Sequence, residues 1–144
     1  MLTTARHFLL AALLLLLPLS GCDEQPEEAF IPPVFVNEDL NLNNIEFNAL
    51  RQPGGYVYLD AGFRGIIVYR ESSGAYLAFE RACTYDPRSS CEPVSVDEST
   101  LFMVHTCCTS TFNFNGDPTG GPARFPLRRY SAIVEGNYLY IRGQ

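Results

Sequence analysis

"HTCCTSTFNFNGDP", His105–Pro118, sets two adjacent cysteines between a histidine and a run in which aromatic and polar residues alternate. Phe112 and Phe114 recur at the two-residue period of a strand, so both point to one face and read as core. The same pattern extends to either side. "GGYVYLD" (Gly54–Asp60) reads as a strand, "GIIVYR-ESSG-AYLAFER" (Gly65–Arg81) as a hairpin, and "RYSAIVEGNYLYIR" (Arg129–Arg142) as a second hairpin turning at Glu135-Gly136-Asn137. Short strands are expected within "PVSVDE" and "TLFMVHT". Helical periodicity is weak, and only "EDLNLNNIEFNALR" (Glu38–Arg51) suits a short helical or irregular piece. Gly120-Gly121-Pro122 reads as a turn or covering loop, because no lysine-bearing helix start follows to make a phosphate cradle. The fold class is all-β, with one domain from Val34 to Gln144.

The start of the chain sets the compartment. Arg6 and His7 precede "FLLAALLLLLPL", an apolar run too short for a comfortable membrane span, and small residues follow it. Residues 1–21 read as a signal segment. Its end, Leu19-Ser20-Gly21-Cys22, resembles the lipobox of bacterial lipoproteins, which implies that Cys22 becomes the acylated amino terminus. Several acyl chains, at about 0.8 kcal/mol per buried CH₂, would hold the protein on a membrane. Residues 22–33 are acidic and proline-bearing, as expected of a solvated tether, although an acidic stretch after a lipid cysteine also resembles the surface-export signals of some bacteria. The expected location is the bacterial cell envelope, periplasm-facing or at the cell surface. The sequence has no lysine, ten arginines and a formal net charge of -6, a balance that gives no reason to expect a nucleic-acid partner.

Excluding Cys22, four of the five cysteines remain: Cys83, Cys91, Cys107 and Cys108. An even number in an exported chain favours disulfides. A bond between the neighbours Cys107 and Cys108 would close a strained ring, so Cys83 and Cys91 are each expected to take one of them; the order of pairing stays open at this point.

Leu77–Leu127, with "AFERACTYDP", "HTCCTSTFNFNG" and "GPARFPL", resembles the Rieske iron-sulfur domain, whose cluster-binding loops read C-x-H and C-x-x-H. That resemblance implies stacked antiparallel sheets with a small cluster-binding subdomain covered by a Gly-Pro loop. It also implies a two-iron cluster held by two cysteines and two histidines, with a potential raised by the imidazoles. In the first loop Cys83 takes the cysteine place and Tyr85 stands where a histidine belongs. The second-loop pattern C-P-C-H-G-S-x-F falls on His105–Phe112, which puts His105 in a cysteine-ligand place and Cys108 in a histidine-ligand place. Cys107 matches the cysteine that pairs with a first-loop cysteine in many members, and Cys91 is its implied partner.

The chain has two histidines, and His7 is lost with the signal, so a mature chain keeps His105 alone and lacks the pair a standard Rieske site needs. Three alternatives follow. In the first, favoured by the oxidising compartment, there is no cofactor: Cys83 pairs with Cys108 and Cys91 with Cys107, leaving a disulfide-stapled structural or interaction module. In the second, a 2Fe-2S cluster takes Cys83, His105 and Cys108, with Tyr85 or another group as fourth ligand, and exchanges electrons with a membrane redox partner. In the third, the same soft ligands hold one zinc or copper ion. Tyr85 is expected to be a space-filling buried aromatic rather than a ligand, because a phenol with a pKa near 10 is rarely ionised. His105 has no serine or carboxylate at triad spacing, so a hydrolytic triad is not expected. Arg128 and Arg129, neighbours at a strand, face opposite sides and form no patch.

Overall fold

The computed structural model describes residues 30–144; the signal segment, Cys22 and the start of the tether lie outside the described residues. Ten strands follow in order: β1 (Val36–Asn41), β2 (Tyr56–Leu59), β3 (Ile66–Arg70), β4 (Tyr76–Glu80), β5 (Ser95–Val96), β6 (Met103–His105), β7 (Ser110–Phe112), β8 (Pro118–Gly120), β9 (Arg129–Glu135) and β10 (Tyr138–Gly143). A 3₁₀ helix, Ile45–Arg51, is the one helical piece among the described residues. All pairings are antiparallel. The six-stranded sheet runs β1-β10-β9-β4-β3-β2 and the four-stranded sheet β5-β6-β7-β8. The small sheet is inserted between β4 and β9, which pair directly through Ala78↔Tyr130 and Phe79↔Arg129. The expected all-β architecture of stacked antiparallel sheets is therefore the one observed.

β3 and β4 lie at the centre because their residues are apolar on both faces. Ile66 and Val68 point into a core shared with Val36, Leu40, Leu50, Ala78, Tyr130, Leu139 and Ile141. Ile67, Leu77 and Phe79 point the other way, toward Cys83, Val94, Met103, Phe112, Ala123 and Leu127. Alternation along two strands thus builds two cores, and the second glues the small sheet to the large one. Each buried aliphatic or aromatic side chain contributes about 1.5–3 kcal/mol, so this second core fixes the small sheet's position.

Four local expectations need correction. Glu38–Asn41 is not helical or irregular: it belongs to β1, whose Val36 and Leu40 are buried while Asn37 and Asp39 face out, and which is held by pairing with β10. Gly120 is not in a turn but ends β8. Phe114 lies beyond the end of β7, in the turn closed by Gly116 N–H to Asn113 O. It still packs on the second core, with its ring stacked on Tyr69 at 4.1 Å. The stretch expected to be a solvated tether to residue 33 is docked by Ile31, which is buried and whose carbonyl accepts a hydrogen bond from the Arg128 guanidinium at 2.6 Å. Among the described residues no helix is long and apolar enough to cross a membrane.

Candidate metal centre

His105 and Ser110 face each other across the β6–β7 hairpin, and both are buried. Thr106–Thr109 bridge them, and the two cysteines of that bridge leave in different directions. Cys107 forms a disulfide with Cys91 (Cα–Cα 6.3 Å), tying the second loop to the first. Cys108 turns inward, its Sγ 3.0 Å from His105 Nδ1 and 3.1 Å from Ser110 Oγ. The inward turn depends on Thr109, which adopts φ +56°, a left-handed conformation rare for a β-branched residue.

The first loop supplies the other thiol. Cys83 is buried just beyond β4, and its Sγ lies 3.5 Å from Cys108 Sγ. The two are free thiols, not the disulfide of the cofactor-free alternative. The donor atoms of Cys83, His105 and Cys108 all lie within 4.8 Å of one another. Backbone N–H groups of Tyr85 and Asp86 are aimed at the Cys83 sulfur. Burial pushes the Cys83 thiol up, the amides oppose that, and the adjacent Cys108 adds to it. Burial, with the nearby Arg64 cation, lowers the His105 pKa against the pull of Asp86, which leaves the imidazole neutral near pH 7 with a lone pair to offer.

Tyr85 does not fill space in the core: it is 56% exposed, because the loop turns its ring to solvent. The Gly-Pro segment does lie over the second loop. Gly121, at φ +78°, rests its backbone on Ser110, where a Cβ would meet Ser110 Cα at 2.5 Å. Ala123 N–H donates to Ser110 Oγ at 3.1 Å, and Thr84 Oγ1 donates to Phe125 O at 2.7 Å, so this segment closes over both loops.

Support comes from a residue that sequence reasoning missed. Glu80 is fully buried, and its carboxylate accepts from Phe63 N–H (2.7 Å), Arg64 N–H (2.8 Å), Ala82 N–H (3.2 Å) and Tyr130 O–H (2.7 Å). Ala82 immediately precedes Cys83, and the Arg64 guanidinium donates to Ser89 O and Cys91 O, so one carboxylate organises both ends of the first loop. Gly62, at φ +75°, leaves the room: a Cβ there would lie 2.6 Å from Glu80 Oε2. Glu80 shares its strand face with Ala78, so strand periodicity put it inside; a buried carboxylate in "AYLAFER" was the available signal.

Chemically, two thiols and one imidazole suit soft metals. They do not match the two-cysteine, two-histidine set of a standard Rieske cluster, because the described residues bring one imidazole to the site.

No protein-family model matches the chain, and no curated relative matches it. Solved structures do. The plasma membrane Rieske protein of the cyanobacterium Synechocystis PCC 6803 is 22% identical, with 61% of this chain and 86% of that chain covered and a TM-score of 0.51. The ferredoxin of carbazole 1,9a-dioxygenase from Nocardioides aromaticivorans IC177 is 18% identical, with 65% and 88% covered and a TM-score of 0.47. The fold is Rieske-like.

Proposed function

We propose that this Rieske-like domain works in the bacterial envelope as a lipid-anchored structural or interaction module without the standard two-histidine cluster. The observation that carries this is the donor set: among the described residues His105 is the one imidazole at a site where the fold's usual cofactor takes two. The Cys91–Cys107 disulfide ties the two loops together whether or not a cluster is held between them. Anchoring rests on the apolar run and the Leu19-Ser20-Gly21-Cys22 motif. No catalytic role is assigned to any residue.

A second function is favoured by one observation, the convergence of three soft donors: an altered 2Fe-2S cluster on Cys83, His105 and Cys108, passing electrons to a membrane redox partner. Such a group would supply one-electron transfer; the chain's own part would be to aim the Tyr85 and Asp86 amides at one sulfur and exclude water with the Gly121–Phe125 segment. Isolation of the full chain from its envelope, with iron and acid-labile sulfide assays and a visible spectrum, separates the two. A colourless protein without iron, before and after anaerobic reconstitution, supports the module. Two irons and two sulfides per chain overturn it.

A further inference from the structure

The geometry points to Cys83, His105 and Cys108 as a site for one thiophilic closed-shell ion, zinc(II) or copper(I), rather than for a disulfide or a two-iron cluster. The inference rests on the cluster-free function above and goes beyond it.

Spacing is the first ground. Two sulfurs each about 2.3 Å from one tetrahedral ion stand about 3.8 Å apart, and a sulfur and an imidazole nitrogen about 3.6 Å. Cys83 Sγ and Cys108 Sγ are 3.5 Å apart, and His105 Nδ1 is 3.0 Å from Cys108 Sγ. Seating an ion asks the imidazole to withdraw from Cys108 by about half an ångström and the two sulfurs to part slightly, while Cys83 Sγ and His105, within 4.8 Å of each other, settle toward about 3.6 Å. All three donors fall within 4.8 Å. Ligands at opposite ends of a two-iron cluster stand further apart than ligands of a single ion, so the site as folded has the reach of one ion.

The surroundings are the second ground. Polar groups adjoin the sulfurs: the amides of Tyr85 and Asp86 at Cys83, and the Ser110 hydroxyl, which accepts from the Cys108 thiol at 3.1 Å and could donate in turn once that thiol is deprotonated. Ser110 Oγ already accepts from Ala123 N–H, so its own proton is free to donate to a Cys108 thiolate. Hydrogen bonds of this kind stabilise charged thiolates on a metal and give little to a neutral disulfide. The neighbouring Cys91–Cys107 pair is bonded, while Cys83 and Cys108 are free. Metal binding would release both thiol protons and involve no electron transfer; two thiolates neutralise zinc(II) and leave a copper(I) site with one negative charge. Zinc would leave a position for water beside a Cys₂His set, whereas copper(I) would be held by the three soft donors alone.

The test uses the full chain, metal-free, with Cys91–Cys107 intact and both other thiols reduced, under anaerobic conditions. Cobalt(II), as a coloured stand-in for zinc, and copper(I) are titrated in separate arms, reading stoichiometry, thiolate charge-transfer absorption and thiol reactivity. One ion per chain, with both thiols becoming unreactive, is expected in at least one arm, and which arm responds identifies the ion. Cys108→Ser should weaken binding at least 100-fold and His105→Gln by 10- to 100-fold. Because a variant can fail to fold, ion-dependent thiol protection in the wild-type chain stands as an independent measure. No binding, with the thiols closing to a disulfide under mild oxidation, overturns the inference and leaves the module standing. Two irons with two sulfides per chain overturn both.

Discussion

Thr109 is the residue on which the inward turn of Cys108 depends, and its left-handed backbone is held by its neighbours rather than by its own preference. The matching place in the Rieske pattern is glycine, which takes that conformation without strain. Strain of this kind costs on the order of 1–3 kcal/mol, part of which glycine returns as unfolded-state entropy. Thr109→Gly is therefore expected to raise stability by about 1 kcal/mol, seen as a higher urea midpoint at unchanged slope. Tyr130 gives a second test at this scale. Burial and the Glu80 carboxylate raise the Tyr130 phenol well above its ordinary value of 10.0. Its contribution is thus complete below about pH 10 and is lost as pH rises through the folded-state value. Tyr130→Phe should cost about 1–3 kcal/mol at pH 7, by leaving a buried carboxylate oxygen short of a donor. It should also flatten the alkaline limb of a thermal-stability profile; an unchanged limb would contradict the Glu80 network.

At the scale of elements, strongly alternating segments were legible. β2, β3, β4, β9 and β10 follow from apolar and aromatic residues at period two between turn residues, because local pattern and tertiary burial agree. β1 was not, since "VNEDLN" has little strand preference and is a strand because β10 offers it an edge. Phe114 packs where periodicity put it although the strand stops short, since burial is decided by position and not by hydrogen bonding. The burial of Glu80 was signalled by its place on the Ala78 face of β4, but its partners Phe63, Arg64 and Tyr130 were illegible, as was the exposure of Tyr85, because each depends on how a loop meets a distant strand. The two loops are elements in the same sense, tied by Cys91–Cys107 over a separation of 16 residues. Cys91→Ala with Cys107→Ala should cost about 3 kcal/mol, measured by denaturant unfolding against the oxidised wild type. No loss would mean that the loops are held by the Glu80 and Arg64 contacts alone.

At the scale of the molecule, a large sheet carries a small one, and the site sits where the inserted sheet's β6–β7 loop meets the first loop after β4. The proposed anchor belongs here as well. Cys22→Ala should move the protein from the membrane fraction to the soluble fraction, and unchanged membrane retention would remove the lipid from the account. The central claim is that a Rieske-like fold has kept its loops and given up the standard cluster. Iron and acid-labile sulfide per chain, measured on protein taken anaerobically from its native envelope, test it most directly. The account predicts no sulfide and no iron pair; two of each, with Rieske-type visible absorption, would contradict it.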